Sequence, residues 1–568
     1  MSTYDQVIRG GTIIDGTGMA GFNADVGVKD GRIAKIGRIR ERGASEIDAE
    51  GHIVTPGFID GHTHMDAQVH WDTQGSCSSW NGVTTAIMGN CGFTIAPSSA
   101  ANAPLVIRNL ERAEDISPAA MKAGIQWSWE TFPEYMDMLD KLPKGINYGT
   151  YIGHSALRTW AMGERAFEQQ ATPDDMKRMQ DQIRAAMRVG ALGLSTSRSM
   201  HHETADGRPV ASRVANWDEI RALVGTVGEE GGLFELAHEE ANRVADPAVR
   251  AEYHRRLSDL AVDSGVTITG GLLPMGTVRE AWEEQLTLLD TIAARGGRMF
   301  GQSHSRGINT LASFETYLPF DRLEEWKAVR SQPIEEQKRL LRDPQVRERL
   351  VKAALHGDYG RAIGAEARKP NYKKMFPFFS AVTPNPSIAE LAEKAGIDPV
   401  TCLIDIALER DFKIFFVQPV ADCTEDDVLK VISHPRCVMT FSDSGAHVSQ
   451  ISDCTIHAHL LAYWTREKQA FTLEEAVRMI TLAPAREFGL FDRGLIREGM
   501  TADLNVIDYA KFRPELPQLV YDLPAGARRL TQRSAGIKAT LVAGVPLFIE
   551  GQYTGTLPGK LIRAKLTA

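Results

Sequence analysis

The chain has 568 residues, of which 43% are hydrophobic and 24% are charged, a composition typical of globular proteins and too long for a single compact core. Its net charge of −9 offers no basic surface for a nucleic acid or an anionic membrane, and no run of about 18 apolar residues predicts a transmembrane helix. These properties favour a small-molecule partner. Six cysteines without a C-x-x-C pair, and an N-terminus without an apolar signal segment, predict a reducing cytoplasm.

The two ends of the chain read as β-rich. In the first 55 residues, short strands such as Val7-Ile8-Arg9 and Thr12-Ile13-Ile14-Asp15 stand before glycine turns. Asp30-Gly31 predicts a hairpin, because a type I′ turn needs a positive φ at both central positions. The region after about residue 490 repeats this pattern, with Leu504-Asn505-Val506-Ile507 as one of its strands.

The middle of the chain, from about residue 56 to 490, alternates short apolar strands with amphipathic helices such as Pro173 to Val189 and Trp217 to Glu230. Repeated βα units predict a parallel sheet, and the length fits an eight-fold barrel with insertions. One insertion, at about 320–374, has helical spacing among many charged residues. Either its helices are solvated surface decoration, or they form a lid over a pocket.

The most specific local pattern is Pro56-Gly57-Phe58-Ile59-Asp60-Gly61-His62-Thr63-His64. An apolar strand delivers two histidines two residues apart, so both imidazoles face the same side at the carboxyl end of the strand, where barrel enzymes place their sites. This geometry suits two ligands of one metal ion.

Three more strands end in a residue that could bind a metal. Cys91 follows Thr84-Thr85-Ala86-Ile87-Met88, His238 follows Leu233-Phe234-Glu235-Leu236-Ala237, and Asp443 follows Val438-Met439-Thr440-Phe441-Ser442. Histidine, cysteine and carboxylate together favour zinc. In such a site Asp443 can also take a proton from water and pass it to the leaving amine.

The sequence resembles the N-acyl-D-amino-acid deacylase (D-aminoacylase) branch of the amidohydrolase superfamily over nearly its whole length. The resemblance rests on His62-Thr63-His64, Gly89-Asn90-Cys91-Gly92, Gly153-His154-Ser155-Ala156-Leu157-Arg158, Gly193-Leu194-Ser195-Thr196 and Phe441-Ser442-Asp443. It implies an α/β fold: a (β/α)8 TIM-like barrel at 56–490 beside a small β-sandwich built from 1–55 and 491–568. It also implies that His62 and His64 bind one metal, that Cys91 bridges, that His238 binds a second metal, and that Asp443 is both base and ligand.

The sequence departs from this branch on the sixth strand. Where the deacylases have a metal-binding histidine and a lysine for the substrate carboxylate, this chain has Thr269-Gly270-Gly271-Leu272. His304 and Arg306 could replace these groups or be an ordinary loop histidine and a solvated arginine, and His201 and His202 could face the barrel mouth or simply be exposed. His154 is interpreted as a structural residue or one that orients a ligand, although its strand end also allows a ligand role. His447 is a further candidate, either to orient Asp443 or to cap a loop.

The sequence thus predicts a cytoplasmic metal-dependent amidohydrolase that cleaves a linear amide, an N-acyl amino acid or a related compound, by attack of metal-activated water. One tightly bound zinc ion is expected, and a second is allowed. A cyclic-amide or xenobiotic amide hydrolase on the same scaffold, and a catalytically silent interaction protein, are the alternatives. The predicted partner is a small-molecule amide, with no nucleic acid and no membrane; a homo-oligomer is left open.

Overall fold

The computed structural model describes residues 3–275, 278–360, 362, 366, 368–420, 423–451 and 453–564. The remaining positions of the two predicted domains and of the predicted insertion lie outside the described residues. Within the described ranges, no helix combines the length and the apolar character needed to cross a membrane.

The strands alternate with helices through the middle of the chain and dominate both ends. In chain order the strands are β1 (Tyr4–Ile13), β2 (Phe22–Lys29), β3 (Arg32–Gly37), β4 (Gly43–Asp48), β5 (Ile53–Pro56), β6 (Phe58–Asp60), β7 (His62–Thr63), β8 (Val83–Met88), β9 (Asn147–Thr150), β10 (Ile152–Gly153), β11 (Gly193–Ser197), β12 (Leu233–Ala237), β13 (Thr267–Gly271), β14 (Arg298–Ser303), β15 (Asn309–Ala312), β16 (Phe376–Pro377), β17 (Phe416–Pro419), β18 (Cys437–Met439), β19 (Phe441–Ser444), β20 (Leu504–Ile507), β21 (Arg513–Pro514), β22 (Gln518–Leu523), β23 (Ala527–Thr531), β24 (Ser534–Ala535), β25 (Ile537–Val542), β26 (Val545–Ile549) and β27 (Gln552–Tyr553).

The α-helices lie between residues 103 and 487. They are α1 (Ala103–Leu110), α2 (Pro118–Gly124), α3 (Phe132–Lys141), α4 (His154–Met162), α5 (Pro173–Arg188), α6 (Trp217–Glu229), α7 (Pro247–Ser264), α8 (Arg279–Ala294), α9 (Glu324–Arg330), α10 (Ile334–Arg342), α11 (Pro344–His356), α12 (Ile388–Ala395), α13 (Pro399–Glu409), α14 (Glu425–Ile432), α15 (Ile456–His459), α16 (Leu473–Ile480) and α17 (Leu482–Glu487), and a π-helical segment, Leu460–Glu467, follows α15.

Both ends of the chain contribute to one nine-stranded sheet. Its path runs β27-β26-β25-β20-β5-β1-β2-β3, and β4 pairs with β1. Asp30 and Gly31 have φ of 50° and 75° in the turn between β2 and β3, which confirms the predicted hairpin. The prediction of two short strands around Gly10-Gly11 is wrong: β1 is continuous, because a bulge between Ile8 and Gly11 absorbs the glycine pair without breaking the pairing to β2.

Eight parallel strand segments form the central barrel. The pairings run β6-β8-β9, then β10-β11-β12-β13-β14-β18, and finally β19-β7, and every pair is parallel. Since β6 continues into β7, β9 into β10 and β18 into β19, the last pairing joins the eighth segment to the first. The sheet therefore closes, and the carboxyl ends of all eight segments meet at one mouth.

The helices around the barrel begin where the sequence predicts. Thr172 caps α5 with its hydroxyl and forms a capping box with Asp175, and Pro173 occupies the first turn, where its missing N–H costs nothing. Asn216 caps α6 with its side-chain oxygen, which accepts from the Glu219 backbone N–H. The predicted helices end within one residue of the observed Arg188 and Glu229. Their apolar faces pack on the outward side chains of the barrel strands, including Phe234 and Ile268.

The insertion contains the predicted helices, which are α9, α10 and α11. They pack on a hydrophobic cluster of their own, built from residues between 312 and 416. At its centre lies Trp326, fully buried, with its ring stacked on Phe320 and its indole N–H donating to the Leu350 carbonyl at 2.9 Å. The insertion thus has a separate core rather than a set of loosely attached surface helices.

Candidate metal centre

The mouth of the barrel contains a cavity rich in histidine and carboxylate groups. The barrel strands and the loops that follow them supply its wall, which consists of His62, His64, Cys91, Glu114, Ser199, His201, His202, Glu235, Ala237, His238, Arg243, Gly271, Leu273, Met275, Ile308, Val420, Phe441, Asp443, His447 and Ile451. Four residues predicted as ligands from three strand ends line this cavity together: His62, His64, Cys91 and Asp443.

His62 is held in one orientation at the base of the cavity. Its Nδ1 donates to the Gln302 Oε1 at 2.6 Å, so the lone pair of Nε2 is available to a ligand. That Nε2 lies 3.5 Å from the Cys91 sulfur and 3.7 Å from the Asp443 Oδ1. The ring also stacks on Phe441, with centroids 3.9 Å apart. These contacts aim Nε2 at the thiol and the carboxylate.

His64 faces the same point from two residues further along. Its Nε2 is 3.1 Å from the Asp443 Oδ1 and 3.7 Å from the Glu114 Oε2. The donor atoms of His62, His64 and Cys91 lie within 4.8 Å of one another, as do those of His64, Glu114 and Asp443. The two groups share His64, so sulfur and carboxylate donors adjoin each other at this end of the barrel.

Backbone strain marks two of the candidate ligands. Cys91 and Asp443 have φ of 55° and 59°, in the left-handed region that residues with a side chain rarely adopt. A Cβ added at Gly92 would lie 3.1 Å from the Thr196 Cα. A Cβ added at Gly445 would lie 2.6 Å from the His64 carbonyl oxygen. Close packing of these glycines holds both turns in the strained conformation and points the thiol and the carboxylate inward.

The cavity has a surplus of buried acidic groups. Burial raises the pKa of Glu114 and that of Glu235 to about 8 each, and burial together with these two carboxylates raises the pKa of the Cys91 thiol well above its usual range. Burial opposes ionisation of Asp443 as well, but the hydrogen bond and charge of His64 hold its pKa below the usual range. A cation is the group that this set of donors lacks.

The donor set fits a zinc ion by its chemistry. Imidazole nitrogens, a cysteine sulfur and carboxylate oxygens are the ligands that zinc prefers. In addition, several buried atoms at this centre have no hydrogen-bond partner among the described residues, namely the Glu114 Oε1, the Glu235 Oε1 and the His64 Nδ1. Positive charge among them would compensate for burying the carboxylates.

Two of these residues were not predicted from the sequence. Glu114 follows α1 in an irregular loop, and nothing in its sequence context distinguishes it from a surface glutamate. Glu235 lies inside the apolar strand β12, fully buried, and its Oε2 accepts a hydrogen bond from the Cys91 backbone N–H at 2.6 Å. A charged residue at an interior strand position is a signal that could have identified Glu235.

His238 lines the cavity but belongs to neither group of donor atoms. Its Nδ1 lies 3.1 Å from the Tyr253 hydroxyl oxygen, and a Cβ on Gly270 would lie 3.1 Å from its Nε2. Gly270, on the sixth barrel strand, therefore adjoins His238 and has no side chain. A metal ion at His238 would lack a ligand from that strand.

The remaining candidates divide between the cavity and other places. His201, which is exposed, and His202, whose Nδ1 is 2.6 Å from the Ser197 hydroxyl, line the cavity wall. His447 lies within 4.0 Å of Asp443 and 3.9 Å of Glu114. His304 and Arg306 are not part of this wall.

His304 and Arg306 instead contact Asp453. The His304 Nε2 lies 3.5 Å from one oxygen of Asp453, and the Arg306 guanidinium lies 3.1 Å from the other. Arg306 borders a separate cavity that Phe376 and Phe378 also line. The structure thus directs both predicted replacement groups away from the candidate metal centre.

His154 is part of a buried structural cluster. Its Nδ1 accepts from the Thr196 hydroxyl and its Nε2 donates to Glu219, both at 2.9 Å, and Glu219 also pairs with the fully buried Arg158. Burial lowers the pKa of His154, so the imidazole is neutral at pH 7 and Arg158 carries the positive charge. These contacts use both nitrogens of His154 and leave none for a metal.

We expect Glu219→Gln to destabilise the protein by about 3–5 kcal/mol at pH 7, because it leaves the buried Arg158 without its carboxylate. Burial opposes ionisation, but the hydrogen bonds from His154 and Arg158 lower the pKa of Glu219 to about 2. The contribution is therefore complete above about pH 4.3, the unfolded value, and is lost as the pH falls toward 2. Denaturant unfolding at several pH values measures it.

The control for this experiment is Glu229→Gln at the exposed end of the same helix. It should change stability by no more than about 0.5 kcal/mol. Equal stabilities of the Glu219 variant and the wild type at pH 7 would show that the buried pair contributes nothing.

Comparison with known proteins agrees with this architecture. Residues 45–548 match the model of a family described as "Amidohydrolase family". The chain is 28% identical to D-aminoacylase of Alcaligenes xylosoxydans xylosoxydans, over 98% of this chain and 97% of the relative. It is 26% identical to N-acyl-D-glutamate deacylase of the same organism, over 98% of this chain and 96% of the relative.

Solved structures show the same fold. A crystal structure of D-aminoacylase matches with a TM-score of 0.65 at 22% identity, covering 99% of this chain and 100% of the other. N-acyl-D-glutamate deacylase from Bordetella bronchiseptica, solved with zinc and a phosphonate inhibitor, matches with a TM-score of 0.62 at 24% identity and coverage of 99% and 100%. The predicted fold class is confirmed. The chain belongs to the amidohydrolase family and is a hydrolase of carbon–nitrogen bonds other than peptide bonds.

Proposed function

We propose that this protein is a metal-dependent hydrolase of a linear amide, with an N-acyl amino acid or a related amide as substrate. The observation that carries the proposal is the convergence of His62, His64, Cys91 and Asp443 on one buried point at the barrel mouth. Full-length similarity to two deacylases of N-acyl-D-amino acids supports the choice of a linear amide.

In this proposal His62, His64 and Cys91 hold zinc, and Asp443 or Glu114 completes the set of ligands. When bound, the metal supplies a Lewis acid for the amide carbonyl and for a water molecule. The thiol of Cys91 is protonated when no cation is present, since burial and the neighbouring carboxylates raise its pKa. It must therefore lose its proton on binding the metal.

Three residues of the chain transfer the proton or orient the metal ligands in this proposal. Asp443 is ionised, and its Oδ1 can accept a proton from the attacking water and return it to the nitrogen of the leaving amine. Gln302 keeps the Nε2 of His62 unprotonated and directed at the centre. Glu235 fixes the turn that carries Cys91 through its hydrogen bond to the backbone N–H.

The function is tested with a panel of amides: N-acyl derivatives of D- and L-amino acids, uncharged N-alkyl amides, and cyclic amides. We expect turnover of linear amides that stops on chelation and returns with zinc. Turnover confined to cyclic amides would contradict the proposal, and so would turnover that continues after complete removal of the metal.

We expect about one tightly bound zinc ion per chain. His238 faces Gly270 rather than a second ligand, so a second ion there lacks the donors for tight binding. Mass spectrometry of extensively dialysed protein counts the ions. Two ions retained per chain would contradict this expectation and would indicate that His238 recruits a ligand from elsewhere.

We also propose a β-sandwich domain formed by 1–55 and 491–568 and a barrel domain at 56–490. A cytoplasmic location and a lid at about 320–374 belong to the same proposal. The insertion does approach the mouth of the barrel: Glu366 contacts Arg112 at 2.9 Å and Arg322 at 3.0 Å. The pair with Arg112 joins a barrel loop to the insertion beside His447, and the pair with Arg322 lies within the insertion. The first contact supports the assignment of a lid.

A further inference from the structure

Arg243 is a half-buried arginine in the wall of the candidate metal centre. It follows a short 3-10 turn, Glu240–Asn242, in the loop after β12, and it lines the cavity together with His238, Leu273 and Met275. Burial, followed by the charge of Arg243, lowers the pKa of His238 to about 3, which places the guanidinium close to that imidazole.

The guanidinium of Arg243 makes no hydrogen bond or ion pair within the described part of the chain. Neighbouring arginines differ from it: Arg198 pairs with Glu239 at 3.1 Å, and Arg250 pairs with Glu284 at 2.7 Å. Glu240, three residues before Arg243, lies near enough to act through its charge but not to pair with it. Arg243 is thus a half-buried cation without a direct ion-pair partner among the described residues.

A guanidinium without a direct ion pair in a partly buried wall carries a desolvation cost, which the more distant charge of Glu240 opposes only through space. A carboxylate is the group that matches its planar fork, because two parallel N–H donors can bind both oxygens at once. The acidic residues of the cavity, Glu114, Glu235 and Asp443, are engaged around the two metal-binding histidines instead.

We propose that Arg243 is the specificity-determining residue of this site and that it binds a carboxylate of the substrate. The inference rests on the proposed function and narrows it to amides that carry a negative charge. It also assigns the binding of this carboxylate to the loop after the fifth barrel strand, since the only residue of the sixth strand that lines the cavity among the described residues is Gly271, which has no side chain. Leu273 and Met275 provide the apolar surface beside the charge.

The test compares each substrate with a neutral partner of the same shape. The best N-acyl amino acid of the panel is assayed beside its carboxamide, and an N-succinyl alkylamine is assayed beside its N-butyryl analogue. Arg243→Gln, Arg243→Lys and the wild type are measured with zinc. Arg255→Gln, an exposed position on α7, is the control for loss of one positive charge.

We expect Arg243→Gln to raise the KM of one carboxylate substrate roughly 10- to 100-fold, with kcat changed only a few-fold. The neutral partner should change by less than about three-fold, and Arg243→Lys should recover part of the loss because it keeps the charge. Loss confined to the N-acyl amino acid places the carboxylate on the amine part of the substrate, and loss confined to the N-succinyl compound places it on the acyl part. Either result supports the proposal.

Equal increases in KM for the charged and the neutral substrates would overturn the proposal, because they indicate a structural role for Arg243. An unchanged KM for both carboxylate substrates would overturn it as well. Thermal unfolding adds a second criterion: removal of an unpaired guanidinium should not lower the melting temperature.

If the wild type hydrolyses no amide, the proposed function fails, but Arg243 can still be tested by binding. Titration of Asp443→Asn protein with the N-acetyl amino acids and the N-succinyl alkylamine, each beside its neutral partner, should show selective binding that Arg243→Gln abolishes. Equal binding with and without Arg243 would refute the proposal independently of turnover.

Discussion

Asp443→Asn should lower kcat by roughly 10²–10⁴-fold or more while leaving the protein folded. Asparagine keeps the size of the side chain and one hydrogen-bond acceptor, but it cannot accept a proton from water. The position is specific for a carboxylate, because Oδ1 lies 3.1 Å from the His64 Nε2 and Oδ2 lies 4.0 Å from the His447 Nε2. Steady-state kinetics of the zinc-loaded variant measures the effect.

Zinc content must be determined in the same sample, since Asp443 could also bind the ion and its loss would imitate the loss of a base. Asp218→Asn, at an exposed helix position, is the matched control and should retain full activity. If the folded, zinc-loaded Asp443 variant retained activity within a few-fold of the wild type, Asp443 would have no part in proton transfer.

Cys91→Ala should weaken zinc binding by more than about 100-fold, which exceeds the effect expected for residues that only orient a ligand. The variant removes a sulfur donor 3.5 Å from the His62 Nε2 and leaves the carboxylates of Glu114 and Glu235 in place. The stabilisation that zinc confers on the wild type, about 2.7 kcal/mol at a concentration of 100 Kd, should largely disappear at the same zinc concentration. Thermal unfolding across a zinc titration measures this change without relying on activity.

The matched control is Cys402→Ala, a buried cysteine in α13 that belongs to the hydrophobic cluster on which the helices of the insertion pack. Its zinc-dependent stabilisation should equal that of the wild type. An unchanged zinc affinity in the Cys91 variant would exclude the thiolate as a ligand and leave the centre to histidine and carboxylate donors alone.

The sequence identifies the residues that barrel strands deliver to the mouth. His62 and His64 follow an apolar strand with the two-residue period of a β-strand, and Cys91 and Asp443 stand immediately after strands of the same kind. In a closed parallel barrel, all such positions must converge. The family resemblance adds the pairing of the two chain ends, which no local pattern could predict because β5 and β20 are far apart in sequence.

The residues that the sequence does not identify reach the centre by other routes. Glu114 comes from a loop after α1, so its position depends on how that loop packs against His447. Gln302 and Glu235 are inside strands, where side-chain alternation alone does not distinguish the barrel interior from a structural hydrogen bond. His238 shows the converse: it stands at a strand end as expected, yet the absence of a side chain at Gly270 leaves it outside the donor groups.

We propose that one metal ion binds at His62, His64 and Cys91. Anomalous diffraction from crystals of the zinc-loaded protein at the zinc absorption edge locates the ion. We expect one strong peak next to the Nε2 of His62, the Nε2 of His64 and the sulfur of Cys91, with a carboxylate oxygen of Asp443 or Glu114 adjoining it. A principal peak at His238, or no peak in the barrel mouth of fully active protein, would show that the metal does not bind at these three residues.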